Sequence, residues 1–332
     1  MIKVGVVGVG HLGQHHARKF KEMEKAELVG LYDQNQDRAG EIASTLGVRR
    51  FNTYEELLAA CDAVDIAATT TAHYDLAKPA LMAGKHVFLE KPITSELDQA
   101  HELVQLAQAR NLKLQVGHIE RFNPVILKVE NEIKNPMFIE STRISTFHHR
   151  GTDVPVVLDL MIHDIDLILS FVNSPVAQIH ASGIAIITKS IDIANARIEF
   201  ENGAIANVTS SRISLKQERK IRFFQKDSYI TLDFQTKQVR IVKKSPKIML
   251  YLPQIMMGKG DIKPDKLVDM QEYDCSQSTK DALSMELESW IGCIKDDKTP
   301  VVDGVAGTRA LEIAMQIISI IDEQVRKNKL KV

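Results

Sequence analysis

Residues 2–13 read IKVGVVGVGHLG, and this stretch decides the fold of the first part of the chain. Residues 2–7 predict a buried parallel strand, because such strands carry nearly continuous apolar runs. Gly8, Gly10 and Gly13 follow at once and match the pattern G-x-G-x-x-G. In that pattern the first glycine allows a tight turn, the second lets a pyrophosphate approach, and the third lets helix and strand pack closely. We therefore expect a dinucleotide site at the N-terminus of a helix over residues 12–23.

A second predicted strand, over residues 26–32, ends in Asp33. An acidic residue about 20 positions after the glycines accepts hydrogen bonds from the adenosine ribose hydroxyls and repels a 2′-phosphate. No arginine follows immediately, although Arg38 lies on the next predicted helix. The sequence therefore predicts NAD as the cofactor, in preference to NADP.

The alternation of strands and helices continues as far as residue 116. The predicted helices are residues 37–46, 54–60, the segment from 73 to 84, and 95–110, and the later strands are 64–68, 86–89 and 113–116. This order is typical of a doubly wound parallel sheet of the α/β class. We assign residues 1–120 to a dinucleotide-binding Rossmann domain.

One predicted strand ends in a lysine. The sequence HVFLEKP, residues 86–92, delivers Glu90 and Lys91 to the carboxyl end of the sheet and stops at Pro92. Ligands of open α/β sheets bind just outside the carboxyl ends of the strands. Lys91 is thus a candidate for a positioned ammonium group; the alternative is an ordinary lysine at a strand end.

The second half predicts a different architecture. Residues 193–200 and 204–210, joined by Asn202-Gly203, predict a hairpin with a type I′ turn. Further short antiparallel strands are expected at 138–146, 220–224, 229–234 and 238–242, and helices at 123–134, 281–295 and 305–326. We assign residues 121–332 to an α+β domain with an open, largely antiparallel sheet.

A predicted helix over residues 156–172 is almost wholly apolar, yet it contains Asp159, His163 and Asp166. The spacing i, i+4, i+7 places all three on one helical face. Buried acids cost several kcal/mol unless they are paired. The three residues could form a structural network, a catalytic group or a metal site, although no further metal ligands are evident nearby.

The composition is that of an ordinary globular protein of about two domains. The 332 residues include 42 Lys+Arg and 43 Asp+Glu, so we expect no nucleic-acid or anionic membrane surface. Cys61, Cys275 and Cys293 lie far apart and predict neither disulfides nor a zinc site. A strand at residue 2 and the lack of a long apolar run argue against a signal peptide or membrane span. A cytoplasmic protein without a metal is expected.

Six stretches together resemble the Gfo/Idh/MocA family of NAD(P)-dependent oxidoreductases. They are GVVGVGHLG at 5–13, VDIAATTTAHYDLA at 64–77, GKHVFLEKPIT at 84–94, GHIERFNP at 117–124, LDLMIHDIDL at 158–167 and TPVVDGVAGTRALEIA at 299–314. The matches are in register across nearly the whole chain, and Glu-Lys-Pro at that place is specific. One departure is the triple threonine at 69–71, where many members carry a proline.

The resemblance implies a dehydrogenase that transfers a hydride from a secondary hydroxyl of a sugar to NAD. Lys91 would stabilise charge on the reacting oxygen, His163 would take its proton, and Asp159 would hold the His163 ring, although either Lys91 or His163 could be the formal base. The implied cofactor contacts are Gly8, Gly10, His11, Leu12, Gly13, Asp33, Thr69, Thr70, His73, Glu90 and Lys91. The open sheet would bind substrate on one face and another subunit on the other, giving a homodimer or homotetramer.

Two arginines are candidate substrate ligands. Arg150 lies in a polar loop, His148–Gly151, and its guanidinium could pair with a substrate phosphate. Arg121 matches the family pattern near the domain junction, where a structural ion pair and a substrate contact are equally plausible.

Within the family, GHIERFNP and LDLMIHDIDL resemble the enzymes that oxidise C3 of UDP-N-acetylglucosamine, ahead of its transamination for amide-linked lipid A. Two alternatives remain open. The substrate could be another sugar, a nucleotide-sugar uronate or a cyclitol. The chain could instead be a non-catalytic NAD-binding sensor, although such a protein would be expected to have lost Lys91 or His163.

Overall fold

The computed structural model describes residues 1–147, 154–249, 257, 267–278 and 280–329. The chain divides into two compact units. The first comprises Met1–Phe122 and Lys280–Glu312, and the second comprises Asn123–Thr279 and Ile313–Val332. This division differs from the two continuous domains expected from the sequence, because Lys280–Glu312 returns to the first unit.

The first unit contains a six-stranded parallel sheet in the order β3-β2-β1-β4-β5-β6. Its strands are β1 (Ile2–Val7), β2 (Ala26–Tyr32), β3 (Arg49–Arg50), β4 (Ala63–Ile66), β5 (His86–Glu90) and β6 (Leu114–Gly117). This order is that of a dinucleotide-binding sheet and confirms the Rossmann prediction. The edge strand β3 was missed because two exposed arginines carry no strand pattern.

Five helices connect these strands: α1 (Gly13–Glu22), α2 (Gln36–Leu46), α3 (Tyr54–Ala60), α4 (His73–Met82) and α5 (Leu97–Ala109). Their ends follow local chemistry. The Asn35 side chain accepts the N–H of Arg38 and caps α2, and Thr53 caps α3 in the same way. Gly47 ends α2 with a φ of 61°, a left-handed conformation that favours glycine.

The second unit contains an eight-stranded sheet in the order β14-β13-β12-β11-β7-β10-β9-β8. Its strands are β7 (Phe138–Ile144), β8 (Val176–Ile184), β9 (Ile193–Phe200), β10 (Ile205–Ser211), β11 (Glu218–Phe224), β12 (Ser228–Asp233), β13 (Gln238–Lys244) and β14 (Val268–Asp274). All pairs are antiparallel except β7 with β10. The expected largely antiparallel sheet is confirmed. The two edge strands, β8 and β14, were missed because they are mostly polar or small.

The predicted β9–β10 hairpin is present, but its turn is not of type I′. That turn needs a positive φ at both central residues, and Gly203 has a φ of 83° whereas Asn202 does not have a positive φ. The N–H of Gly203 bonds to the carbonyl of Phe200, and the N–H of Phe200 bonds to the carbonyl of Ala204, each at 2.9 Å. This arrangement matches a type I turn followed by a glycine bulge.

Two helical segments of the second unit differ from their predictions. Helix α6 covers only Pro124–Val129, capped by Asn123, although residues up to 134 were expected to be helical. The apolar segment predicted as one α-helix begins with a π-helical turn, Val157–Met161, and continues as α7 (Ile162–Phe171). A π-turn inserts a residue into the helix, and such turns occur frequently at functional sites.

Helix α8 (Ala282–Lys295) explains why the late segment belongs to the first unit. The Trp290 ring packs edge-on against Phe20 of α1 and Phe88 of β5, at centroid distances of 6.2 and 5.7 Å. Leu287 and Ile291 are fully buried in the same cluster. Burial of a tryptophan and two aliphatic side chains stabilises this packing, and chain order alone does not reveal it.

The last helix, α9 (Gly304–Lys329), is long and apolar enough to cross a membrane by length and composition alone. Half of its most apolar window is buried inside the protein. Five of its aliphatic side chains are wholly buried: Ala310, Leu311, Ala314, Ile317 and Ile321. This degree of burial is typical of a helix in the core of a protein.

Candidate active site

The glycine turn between β1 and α1 has the shape that a pyrophosphate requires. Gly8 has a φ of 81°, and a Cβ on Gly13 would lie 1.8 Å from the Gly8 carbonyl oxygen, so both positions need glycine. A Cβ on Gly10 would meet nothing within 4 Å, and Gly10, His11 and Leu12 are exposed. Leu12 provides no side-chain cap to α1, so no side chain occupies the N-terminus of this helix at the cap position, where an anion would bind. These residues fit a bound dinucleotide.

Asp33 is fixed at the end of β2 beside this turn. Its Oδ2 accepts the N–H of Val9 at 2.7 Å, and its Oδ1 accepts the N–H of Asn35 at 2.8 Å. Each carboxylate oxygen has a further lone pair with which to accept a ribose hydroxyl. Asp33 therefore combines a fixed orientation with spare acceptor capacity, as the prediction requires.

Arg38 reaches across the same turn, which the sequence did not indicate. Its Nε donates to the Val9 carbonyl at 3.3 Å, and its Nη2 donates to Gln14 Oε1 at 3.2 Å. The peptide groups on the two sides of Val9 are therefore held by an acid and a guanidinium. A positive charge lies close to the site expected for the adenosine ribose.

A buried network that the sequence analysis missed lies between α1 and the neighbouring strands. His16 Nδ1 lies 2.8 Å from Asp65 Oδ2 in β4, and His16 Nε2 lies 3.2 Å from Glu90 Oε1 at the end of β5. The side chains of His16 and Asp65 are 1% and 0% exposed, and that of Glu90 is 13% exposed. A signal was present: Asp65 is the one acid in the buried strand AVDI.

The network holds opposite charges together in a low-dielectric environment. Burial alone would lower the pKa of His16, but the charge of Asp65 and the contacts with Asp65 and Glu90 raise it well above its usual value. Burial would raise the pKa of Glu90, but the contact with His16 and the charges of His16 and Lys91 lower it. Burial raises the pKa of Asp65, and His16 opposes that shift. We interpret the group as an imidazolium between two carboxylates.

Lys91 follows Glu90 at the end of β5, as predicted. Its backbone N–H donates to Glu90 Oε2 at 3.1 Å, and its side chain is half-buried. The Lys91–Pro92 peptide bond is cis. The strand therefore presents a carboxylate and an ammonium side by side at the carboxyl edge of the sheet.

The other predicted cofactor residues of the first unit follow β4. Thr69 is exposed and its hydroxyl lies 3.3 Å from that of Thr71, while Thr70 begins a 3₁₀ turn, Thr70–Ala72. His73 is buried, with Nδ1 2.9 Å from the Pro92 carbonyl oxygen and Nε2 3.2 Å from that of Ala68. Burial lowers the pKa of His73, and the contacts with the Pro92 and Ala68 carbonyls oppose that shift. Through these two contacts the ring links this loop to the segment after Lys91.

The second unit contains the predicted Asp159 and His163. Asp159 lies in the π-helical turn and His163 in the first turn of α7, and both are half-buried. Neighbouring Asp164, to which the sequence assigned no role, is buried and accepts two hydrogen bonds on Oδ1, from Arg143 Nε at 3.0 Å and Nη2 at 2.8 Å. Removing either partner would leave a buried charge, so this pair is structural. Asp166 is buried as well.

The two candidate substrate arginines differ in what the structure describes. Arg121 is half-buried in a 3₁₀ turn, Ile119–Phe122, at the end of the first unit's opening segment. Arg150 and its loop lie outside the described residues. Among the residues that the structure describes, no group of three or more His, Cys, Asp or Glu side chains is placed to hold a metal ion.

Comparison with known proteins gives this arrangement its context. Residues 2–118 match the family model described as an oxidoreductase family with an NAD-binding Rossmann fold. Residues 127–230 match the model of the GFO/IDH/MocA C-terminal domain. The chain is also 34% identical to UDP-N-acetylglucosamine 3-dehydrogenase of Acidithiobacillus ferrooxidans, over 95% of this chain and 96% of that protein.

The chain belongs to the Gfo/Idh/MocA oxidoreductase family. A solved structure of the Acidithiobacillus ferrooxidans enzyme has a TM-score of 0.87 to this one at 33% identity, covering 97% of this chain and 98% of that one. The scyllo-inositol 2-dehydrogenase (NAD(+)) of Bacillus subtilis is 26% identical over 95% of this chain and 92% of its own length. This member of the family is therefore an NAD-dependent dehydrogenase, as the sequence predicted.

Proposed function

We propose that this protein oxidises the C3 hydroxyl of UDP-N-acetylglucosamine, with transfer of a hydride to NAD. The observation that carries the proposal is the match to UDP-N-acetylglucosamine 3-dehydrogenase, which spans 95% of this chain and 96% of that enzyme at 34% identity. The stretch at 117–124, which crosses the unit boundary after residue 122, and the stretch at 158–167 in the second unit favour the same substrate.

The cofactor site is proposed on the first unit. Backbone N–H groups of the turn Gly8–Gly13 would bind the pyrophosphate, and Asp33 would bind the adenosine ribose. Glu90 and the segment Thr69–His73 would line the approach to the nicotinamide ring. Bound NAD supplies the hydride acceptor.

Each proposed catalytic side chain has a separate task. The Lys91 ammonium would donate a hydrogen bond to the reacting C3 oxygen and stabilise negative charge as it develops there. The imidazole of His163 would take the hydroxyl proton when the hydride leaves C3. Asp159 would orient the His163 ring. One C–H bond and one O–H bond break, so the products are the 3-keto sugar nucleotide, NADH and one proton.

The remaining parts of the proposal concern the setting of the reaction. Arg121 and Arg150 are proposed to contact the substrate, Arg150 through a phosphate. A 3-keto product suits transamination, and the proposed place of the enzyme is lipid A precursor synthesis in the cytoplasm. The exposed face of the second sheet is proposed to join copies into a homodimer or homotetramer, which light scattering at micromolar concentration would reveal.

A cyclitol or another sugar is the second candidate substrate. The 26% identity to scyllo-inositol 2-dehydrogenase (NAD(+)) of Bacillus subtilis, over 95% of the chain, supports a cyclitol as this second candidate. A non-catalytic NAD-binding sensor is a weaker candidate, because the chain keeps both Lys91 and His163.

The test is NADH formation at 340 nm with a panel of UDP-N-acetylglucosamine, UDP-glucose, a UDP-uronate and free inositols. We expect UDP-N-acetylglucosamine to give the highest kcat/KM by at least about tenfold, since a site built to hydrogen-bond a substrate group discriminates strongly against analogues lacking it. A higher value for an inositol would replace the proposed substrate. No turnover of any member by a folded, NAD-binding protein would favour the sensor.

A further inference from the structure

The His16 network has features that ordinary core packing does not require. Both ring nitrogens of one buried imidazole face carboxylate oxygens, at 2.8 Å to Asp65 and 3.2 Å to Glu90. A neutral imidazole carries a single N–H. Two such contacts therefore need a doubly protonated ring or a protonated carboxyl group, so the network holds one proton more than a neutral ring with two carboxylates.

The groups around the ring favour placing that proton on His16. The charges of Asp65 in β4 and Glu90 in β5 both raise its pKa against the effect of burial. The Phe88 ring lies edge-on to it at 5.7 Å between centroids, and Glu90 also experiences the charge of Lys91. On its own helix, burial and nearby positive charges, that of His16 among them, lower the pKa of His15.

The position of the network connects two parts of the cofactor site. His16 lies on α1, which begins at the last glycine of the turn Gly8–Gly13, and Glu90 lies at the end of β5 next to Lys91. A Cβ on Gly117 would come within 3.0–3.1 Å of the Glu90 carboxyl group, so the Gly117 backbone packs closely against that group. Glu90 is thus held in place by His16, by the Lys91 N–H and by Gly117.

A simple structural role for His16 is the competing explanation. Burial of a charged triad costs several kcal/mol per ion before pairing, and an apolar trio would fill the same space at lower cost. The triad is therefore a poor device for stability alone. It is well suited to fixing one carboxylate in its ionised form at the edge of the sheet.

We propose that His16, oriented by Asp65, is a positioning residue that fixes the Glu90 carboxylate as an anion at the nicotinamide end of the cofactor site. This inference rests on the proposed function in one respect, the placement of the nicotinamide beside Glu90. An anion there attracts the positively charged ring of NAD⁺ and has little effect on the neutral ring of NADH. ADP-ribose, which lacks the ring, does not respond to it.

The test is calorimetric binding of NAD⁺, NADH and ADP-ribose to the full-length protein and to His16→Gln, Asp65→Asn and Glu90→Gln. We expect His16→Gln and Glu90→Gln to weaken NAD⁺ about tenfold while NADH and ADP-ribose stay within about twofold. Asp65→Asn should act in the same direction. The double variant His16→Gln/Glu90→Gln should bind NAD⁺ no more weakly than the weaker single variant, because the two act through one carboxylate.

The matched control is His15→Gln, a change of the neighbouring, half-buried histidine on the same helix. It should leave the affinity for all three ligands within about twofold of the unchanged protein. Equal weakening of NAD⁺ and ADP-ribose by His16→Gln would overturn the proposal, since a distorted α1 would affect the pyrophosphate too. Unchanged binding of all three ligands would also overturn it.

A second measurement needs no variant that might fail to fold. In the unchanged protein, ¹⁵N NMR at pH 7.5 should show His16 with two protonated ring nitrogens, and a neutral ring would contradict the proposal. None of these readouts uses the sugar substrate. Failure to oxidise UDP-N-acetylglucosamine would therefore contradict the proposed function without affecting this inference. A neutral His16, or unchanged NAD⁺ binding in the variants, would contradict this inference without affecting the proposed function.

Discussion

The carboxylate of Asp33 accepts the backbone N–H of Val9 at 2.7 Å, so the residue proposed to select the cofactor also holds the glycine turn. On the other side of the same residue, Arg38 donates to the Val9 carbonyl at 3.3 Å. An acid that disfavours a 2′-phosphate and a base that could pair with one are thus attached to a single residue of the turn. This arrangement makes cofactor preference sensitive to one substitution.

Replacing Asp33 with Ser should narrow or reverse the preference for NAD over NADP. The change removes the negative charge that repels a 2′-phosphate and leaves the Arg38 guanidinium, which pairs well with phosphate oxygens. We expect NADP affinity to rise at least about tenfold and NAD affinity to fall, measured by calorimetry. The double variant Asp33→Ser/Arg38→Gln is the control, and it should lose most of the increase in NADP affinity. Tighter binding of NADP than of NAD by the unchanged protein would contradict the assignment of Asp33.

Lys91→Met and His163→Ala should each abolish most turnover while NAD binding persists through the glycine turn and Asp33. Loss of a positioned acid–base group costs about 10²–10⁴-fold in rate. The double variant should lose much less than the product of the two single losses, because groups acting on one oxygen are not additive. Asp159→Asn should be milder than His163→Ala, since it would only misorient the ring.

Thermal melts and NAD titrations serve as controls for these variants, because the helix that carries His163 is largely buried. Near-normal turnover by a folded, NAD-binding His163→Ala protein would make the histidine structural. The catalytic role would then pass to Lys91 alone.

The sequence predicted the first sheet well because its signals are local. The three glycines are required by the backbone conformation of the turn after β1. Asp33 and Lys91 can be located because each directly follows a strand that the sequence pattern predicts. His16 and Asp65 were missed because they are 49 residues apart and meet only in the folded sheet. Trp290 returns to Phe20 and Phe88 for a similar reason, since burial rather than sequence proximity selects its partners.

Departures in the second unit arise where tertiary contacts override local preference. The apolar stretch with Asp159 and His163 has the α-helical period, yet its first turn is π-helical. The Asn202-Gly203 pair favours a type I′ turn, but only the glycine adopts a positive φ. Edge strands β8 and β14 lack apolar alternation because most of their side chains are exposed or half-buried, so neither face of these strands requires a continuous apolar row.

Asp192→Asn should destabilise the second unit. Asp192 is fully buried, its Oδ2 accepts the N–H groups of Ile186, Ile187 and Thr188, and its Oδ1 accepts the Thr188 hydroxyl. Asparagine has one acceptor oxygen instead of two and carries no charge, so it cannot keep all of these bonds at full strength. We expect a loss of about 2–4 kcal/mol in the free energy of unfolding, measured with urea. Asp269→Asn, on exposed β14, should change it by less than about 0.5 kcal/mol.

The contacts of Asp192 also predict that the stability of the folded protein falls in acid. Burial would raise the pKa of Asp192, but these hydrogen bonds lower it to about 2. Because the folded pKa lies below the unfolded value of about 3.9, the contribution is present above pH 4 and is lost as the pH falls towards about 2. The stability difference between the unchanged protein and Asp192→Asn should therefore shrink over that window. A difference that stays constant down to pH 2 would contradict this account.

For His16 we expect the opposite dependence of folding stability on pH. Its folded pKa lies well above the unfolded value of about 6.5, so the folded protein keeps a proton that the unfolded chain releases. This stabilisation is complete below pH 6.5 and is lost as the pH rises through the folded pKa. Urea unfolding at pH 6.5 and 8.5 should show a fall in stability that Asp65→Asn reduces, because that variant removes the main counter-charge. An identical fall in the two proteins would count against a charged His16.

The most direct test of the central claim uses UDP-N-acetylglucosamine with deuterium at C3. Incubation with the enzyme and NAD, followed by mass spectrometry of the reduced cofactor, should show one deuterium per NADH formed, with a 3-keto product. Undeuterated NADH would place the oxidised carbon elsewhere. Absence of NADH under conditions where a cyclitol reacts would contradict the assignment of this chain to UDP-N-acetylglucosamine oxidation.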